Sequence, residues 1–414
     1  MNIIVIGGDH HNTLAAVRSL GCKKYDFEVV VHTNNSKNQL KIIKSRYVKK
    51  YAIVDDNETA IIEYLRSYLD SNEQIVLIPC SDLAAYTIDN NELPHNNRYI
   101  IPGFSNHSGM VVELMDKYAQ YEFVQKLGLK CAKSWTIDLN SDFRSIVNVI
   151  DLPCIVKPQI SAFGKKDDIT ICHSSNELCQ ALVQFQKGNY KRAIVQVFLE
   201  KKYEICSFGC ITNQCYSEQS HAIGCIVKKI REARTGSTAF AQVISDSSIQ
   251  SERNGTKGLG KRKIDIPLNE LELVKSVDGK LLEKLFNLGY RGFYDIEYFV
   301  CDDGVYVNEI NFRQSGNGYV LPKYGIHVPC IVVDDLTNRA GDSMSVSPIP
   351  VGRFHMDEAS DVFNIKRLHI SFVVWICQFF TTKAKAIFDV HDISGTTAFY
   401  RSVCNYLFRK LRKN

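Results

Sequence analysis

Among the residues of this 414-residue chain that could do chemistry, the tightest pattern is Glu297, Glu309, Asn311 and Arg313. Runs of β-branched and aromatic residues flank Cys301-Asp302-Asp303-Gly304, which predicts an antiparallel hairpin with Gly304 at positive φ. With Asp302, Asp303 and Gly304 as the loop, Cys301 faces Val305. Counting back in twos then sets Glu297 opposite Glu309 and Asp295 opposite Asn311, with Arg313 further along the same face. A slip of one residue in register would lose this alignment. Carboxylates directly across a ladder lie about 5 Å apart at Cβ and repel each other. A hard divalent ion bound by the two glutamates and the Asn311 carbonyl is one remedy. The other is a solvated hairpin whose acids pair with neighbouring lysines. Arg313 on that face could hold a phosphate that the ion also touches.

At these residues the chain resembles the ATP-grasp superfamily, of the carboxylate–amine/thiol ligase type, similar to amino-acid ligases and carbamoyl-phosphate-synthase-like proteins. The E-x(11)-E-x-N spacing of Glu297, Glu309 and Asn311 looks like that family's strand pair for Mg²⁺ (or Mn²⁺). Arg313 looks like its phosphate-binding arginine, although Phe312 stands where the family usually has proline. Asp116-Lys117-Tyr118 opens a predicted helix ending at Gly128, and a lysine so placed in the family reaches the nucleotide phosphates. Residues 152–158 read as a buried strand ending at Lys157, with Pro158 breaking the ladder. A lysine there must reach an anion or water, and the family's matching V-K-P implies a phosphate. Gly164, Lys165 and Lys166 follow in a loop, 161–168, where the family usually has several glycines around the phosphates. That loop is expected to close as a lid.

The resemblance also covers residues 193–199 and Tyr203-Glu204-Ile205, which look like an adenine hinge. It implies backbone groups of Val197 and Leu199 at the adenine edge and a Gln196 carbonyl accepting from the amino group. Glu204 would accept from the ribose hydroxyls. In 227–236, strand alternation sends Lys229 and Arg231 to one face and Lys228 to the other. The family puts basic residues here at the γ-phosphate, which favours Arg231 as an active-site cation beside Arg313; a solvated basic edge strand is the plainer reading. The implied activity is an ADP-forming ligase that uses ATP and Mg²⁺ to activate a carboxylate as an acyl phosphate and join it to an amine. Both substrates are small molecules, of amino-acid or cell-envelope polysaccharide metabolism. The rival is a non-catalytic ATP-binding protein of regulation or assembly.

Three units position these residues. Residues 1–110 alternate apolar strands (3–6, 27–32, 75–79) with helices (13–20, 60–69), the rhythm of a small parallel α/β domain. Its strand ends near Asp9, His10 and Asp82 can line a substrate pocket. Gly7-Gly8, with Glu28 about twenty residues on, is half a dinucleotide fingerprint. The missing GxGxxG disfavours a nicotinamide-dependent oxidoreductase. Residues 111–340 form the α+β ATP-grasp unit that the resemblance implies, with a smaller lid subdomain at about 150–210. It includes a surface loop at 257–263, a long amphipathic helix at 271–288, a turn at 315–318 beside the phosphates and a helix at 325–336. Residues 341–414 make a C-terminal extension with nine Lys/Arg against two Asp across 366–414. Aromatic and aliphatic residues interleave with charge over 400–412. Such a segment lies on an anionic membrane surface or caps the protein's own core.

A net charge of +5 is too mild to imply nucleic-acid binding. Fourteen cysteines without metal-ligand spacing, in a chain this long, imply free thiols in a reducing cytoplasm. Asn2 to Ile6 run straight into a glycine turn, unlike a signal peptide. The longest apolar run, 370–380, is about half the length needed to span a bilayer. The expected location is cytoplasmic, with or without peripheral contact at the inner membrane face through 366–414. Oligomeric state is not legible.

Overall fold

The computed structural model describes residues 1–68, 73–91, 93–164, 168–213, 221–246, 264–339 and 349–411. Lys165, Lys166 and the loop expected at 257–263 lie outside them. The N-terminal unit is a five-stranded parallel sheet in the order Lys50–Val54, Glu28–His32, Asn2–Gly7, Ile75–Pro79, Tyr99–Ile100. The central strands are apolar throughout because helices cover both faces. The edge strand Lys50–Val54 is only partly buried and carries a weak apolar signal, so it is absent from the sequence reading. Glu28 accepts hydrogen bonds from Tyr64 and Tyr68, both at 2.5 Å. Its carboxylate is therefore used inside the domain, which explains the half-fingerprint without a dinucleotide.

A smaller antiparallel sheet follows, in the order Thr170–Cys172, Cys154–Pro158, Arg192–Val197, Ser134–Asp138. Cys154, Val156, Ala193 and Val195 pack against Leu178, Leu182 and Phe185 of the helix Ser175–Lys187. Alternation turns Ile155, Lys157, Ile194 and Gln196 to the other face.

The largest sheet runs Ala384–Lys385, Phe354–Met356, Thr238–Asp246, Ala222–Glu232, Tyr203–Ile211, Tyr290–Cys301, Gly304–Asn311, Lys130–Cys131. The helix Leu268–Asn287 covers one face. Its buried Asp278 accepts from Tyr298 and Ser207 at 2.7 and 3.0 Å, which fixes the helix against two neighbouring strands. The opposite face meets the N-terminal unit: Cys206, Phe208, Val227, Ala241 and Phe293 share one core with Leu14, Val17 and Val31. Ala384, Ala386, Ile387 and Phe399 enter that core too. The buried Asp392 takes Arg18 Nε and the Ser45 hydroxyl, both at 2.9 Å. Part of the C-terminal extension thus caps the protein's own core. Among the described residues the cysteines are free thiols and no helix is long and apolar enough to cross a membrane.

Candidate active site

The hairpin consists of Tyr290–Cys301 and Gly304–Asn311. Its turn is tighter than expected: Cys301 faces Gly304 and Val300 faces Val305, with Asp302 and Asp303 between the strands. That count alone would set Glu297 against Asn308. A β-bulge at Asn308 inserts one residue and restores the pairs Glu297–Glu309 and Asp295–Asn311. The expected alignment holds because the shorter turn and the bulge cancel. Paired residues share a face, so these four side chains lie on one side of the sheet.

Lysines from three separate segments converge on that face. Lys117 Nζ lies 3.2 Å from Glu309 and also bonds the Ser161 hydroxyl, which donates to the same carboxylate at 2.9 Å. Burial would raise the Glu309 pKa, but Lys117 and Lys157 outweigh it and hold the carboxyl down at about 2. Burial in turn pushes the Lys157 ammonium down to about 8, against the pull of Glu309 and Glu297. Lys229 bonds Glu204 and lies 3.4 Å from Glu297, while Lys201 takes the other Glu204 oxygen at 2.5 Å.

Three glutamines and an aspartate set this arrangement. Asp116 caps the helix Lys117–Lys126, accepting from the N–H groups of Tyr118 and Ala119 at 2.8 and 3.2 Å. Gln159 donates to Asp116 at 2.5 Å and accepts from Thr136 at 2.7 Å, tying the helix start to the end of the Lys157 strand. Gln120 accepts from the Ile310 N–H and donates to the Ile310 carbonyl, both at 2.9 Å, and so replaces a missing strand partner beside Glu309. Gln196, on the face of Lys157, donates to Ser134 at 2.8 Å, which leaves its amide oxygen as an acceptor. The Val197 N–H is already spent on the Lys133 carbonyl at 2.9 Å, so Val197 can meet a ligand edge through its carbonyl and not through its N–H.

The expected alternation over 227–236 fails at Ile230. A bulge there puts Lys229 opposite Ala241 and Arg231 opposite the adjacent Phe240, which sends the two cations to opposite faces. Arg231 grips Asp361 at 2.9 and 2.6 Å and lies 4.0 Å above the Phe240 ring. Trp375 donates to the same aspartate at 3.0 Å. Arg231 is therefore a tie to the C-terminal extension, turned away from the paired glutamates; Lys229 is the cation on their side.

Arg313 bridges two units. It donates to Asp82 of the N-terminal unit at 3.0 Å and bonds Asp295 of the hairpin. Burial opposes its charge, but Asp82 and Asp295 prevail and raise its pKa above the ordinary value. Asp9 accepts the N–H groups of Lys41 and Ile42 at 2.9 and 2.8 Å, so its carboxylate holds the 41–42 turn. His10 is held neutral, pushed down to about 3 by burial and then by the neighbouring His11, His32, Arg313 and Lys41. The turn at 315–318 docks on the N-terminal unit, since the Gln314 N–H donates to Pro79 at 3.0 Å and a Cβ on Gly316 would lie 3.6 Å from His11.

The donor set suits a hard divalent cation. Glu297 and Glu309 are each about a quarter exposed, at 26% and 27%. Asn311 donates from its amide nitrogen to the Asp295 carbonyl at 3.3 Å, leaving its oxygen as an acceptor. Donor atoms of Glu204, Cys206 and Glu297 also lie within 4.8 Å of one another. Burial pushes the Cys206 thiol well above its ordinary pKa, so it stays protonated and is a poor ligand for such an ion. Of the residues that build the site, Lys229, Lys201, Ser161, Gln120 and Gln159 were not picked out from the sequence. Only Lys229 carried a signal, two positions beyond the core residue Val227.

No family description matches the chain. Among curated proteins, a formate-dependent phosphoribosylglycinamide formyltransferase of Mannheimia succiniciproducens is 28% identical over 218 residues, covering 50% of this chain and 47% of that protein. Its namesake from Chlorobaculum tepidum is 26% identical over 238 residues, 55% of this chain and 54% of that one. The chain spans about half the length of the curated relatives it matches. Among solved structures, an ADP complex of N5-carboxyaminoimidazole ribonucleotide synthetase is 13% identical with a TM-score of 0.59, covering 89% of this chain and 84% of that one. The biotin carboxylase domain of Hydrogenobacter thermophilus 2-oxoglutarate carboxylase, solved with MgADP and bicarbonate, is 14% identical with a TM-score of 0.60, over 85% of this chain and 73% of that one.

Proposed function

We propose that the chain is an ATP-grasp enzyme, as its fold likeness to the solved ADP and MgADP complexes supports, and that it is an ADP-forming ligase that activates a small carboxylate with ATP and joins it to an amine. The observation that carries this reading is the meeting of Glu309 with Lys117 and Lys157, which arrive from a helix and from a second sheet. Surface acids seldom gather half-buried lysines from separate units, and perturbed groups converging in a cleft mark functional sites. The curated relatives, named for formate-dependent formyl transfer, support a carboxylate donor.

In this reading Glu297, Glu309 and Asn311 hold Mg²⁺, which when bound neutralises charge on the phosphoryl group in transfer. Lys117 and Lys229, now paired with carboxylates, turn to the phosphates together with Lys157. The Gln196 oxygen, the Val197 carbonyl and the Leu199 backbone face the adenine, and Glu204 the ribose. A substrate carboxylate oxygen attacks the γ-phosphorus, and the bond from that phosphorus to the oxygen bridging to ADP breaks. The amine nitrogen then attacks the acyl carbon and loses a proton as phosphate departs. Arg313, permanently charged, stabilises the negative charge that develops. ADP release measured against a panel of carboxylates, from formate to amino acids and sugar acids, is expected to require both an acid and an amine. Hydroxylamine in place of the amine should trap the acyl phosphate as a hydroxamate. Nucleotide binding with no acid-dependent ADP release would leave the regulatory, non-catalytic reading instead.

The depressed Lys157 pKa gives a pH prediction. Below about 8 the ammonium is charged in the free protein, and above it the phosphate ligand is lost. kcat/KM for ATP should therefore fall as pH rises through that value. The stability contribution has the opposite sign: between the folded value and the ordinary lysine value the unfolded chain binds more protons, so stability rises with pH. Lys157→Arg, charged throughout, should flatten the kinetic profile. A profile that still falls in that variant would remove Lys157 from phosphate binding.

A further inference from the structure

The C-terminal extension carries a surface that neither the core nor the active site uses. The helix Phe372–Thr381 buries Trp375 against Phe240 and Met356. Its other side is bare: Phe372 is 61% exposed, Val373 69% and Phe380 75%, with Cys377 exposed as well. Val373, Cys377 and Phe380 recur at i, i+4 and i+7, so they form one stripe along the helix. Contiguous apolar surface of this kind marks an interaction site. Phe379 and Phe388 extend it, with ring centroids 6.1 Å apart and the Lys385 ammonium 4.9 Å from the Phe379 ring.

The charge around the stripe selects the partner. Residues 362–388 contain Lys366, Arg367, Lys383 and Lys385 and not one Asp or Glu, and the first three of these cations are exposed. A second copy would meet this face through a two-fold axis, which sets a rim of cations against the same rim of cations. An anionic bilayer satisfies both halves, taking the aromatic side chains among its acyl chains and the ammonium and guanidinium groups at its headgroups. The helix has 10 residues, a length of about 15 Å against a hydrocarbon core of about 30 Å. It can lie in the interface and cannot cross it.

We propose that the exposed side of Phe372–Thr381, with its basic rim, docks the protein on anionic membrane surfaces. This places the contact on a shorter and more apolar helix than the 400–412 segment whose sequence first suggests it. The test is co-sedimentation of the full chain with phosphatidylcholine vesicles, with and without phosphatidylglycerol. Binding is expected only with the anionic lipid and is expected to weaken with salt. Phe372→Ser with Phe380→Ser should lower partitioning by about tenfold or more, with the melting temperature and ADP release unchanged. Lys366→Glu with Lys383→Glu should give a similar loss by a separate route. No sedimentation with either vesicle, or sedimentation untouched by both variants, overturns the proposal. So does a concentration-dependent dimer that the serine variant abolishes, which would assign the face to a second copy.

Discussion

Replacing Glu309 by glutamine is expected to reduce acid-dependent ADP release by about a thousandfold or more, equivalent to roughly 4 kcal/mol of barrier. Two effects act together. The amide is a neutral donor atom for a hard cation, and it is presented at a position where the carboxylate is ionised at every working pH, its pKa held near 2. The substitution also removes the anion that supports the Lys157 charge. The Lys157 ammonium should then titrate lower still, and ATP affinity at neutral pH should fall with kcat. The fold should not suffer. Glu309 contacts Lys117 and Ser161 in the cleft and feels the charge of Lys157, and an amide of equal size can still accept from Ser161. A melting temperature within a few degrees of the parent is expected. Turnover retained within about tenfold, in a folded variant, would show that Glu309 holds no catalytic cation.

This experiment addresses a site whose two halves were legible to different degrees. The hairpin acids could be aligned by counting because side chains alternate with period two. The counting assumed a three-residue loop, and it succeeded because the Asn308 bulge compensated for a two-residue turn. The same counting fails over 227–236, where the bulge at Ile230 falls between Lys229 and Arg231 and the compensating shift comes only after Arg231. Bulges leave no mark in a pattern of apolar and polar residues, so face assignments beyond one are unreliable in principle. That is why alternation alone sets Arg231 on the same face as Lys229. Lys157 was legible for another reason: an ammonium ending an apolar strand before proline has few places to go. The glutamines were not legible at all. Gln120 and Gln159 act by replacing backbone partners across 190 residues and by carrying a cap from strand to helix, and those roles exist only after the chain has folded. The exposed stripe on Phe372–Thr381 was hidden differently. An apolar run reads as core, and only coordinates show which side faces water.

Arg313→Met is expected to lower stability by about 3–5 kcal/mol, beyond any loss of activity. The guanidinium lies between Asp82, at the start of a helix in the N-terminal unit, and Asp295, on the hairpin strand. Asp295 is buried, 5% exposed, with one carboxylate oxygen lacking a partner. Burial already raises its pKa in spite of the arginine. Without the cation the carboxylate must either stay charged and unpaired or take up a proton. In the second case the native state holds a proton that the unfolded chain releases. Stability should then be recovered on acidification and lost as pH rises through the folded Asp295 value. Denaturation of the variant at neutral and mildly acidic pH would read this directly. Adding Asp295→Asn separates the two roles of Arg313, because a neutral amide relieves the buried charge without restoring the cation. The double variant should regain much of the stability and none of the turnover. If Arg313→Met unfolds no more readily than the parent at neutral pH, the arginine is not the electrostatic joint between the two units. Recovery of turnover in the double variant would instead show that its charge is not needed in the reaction.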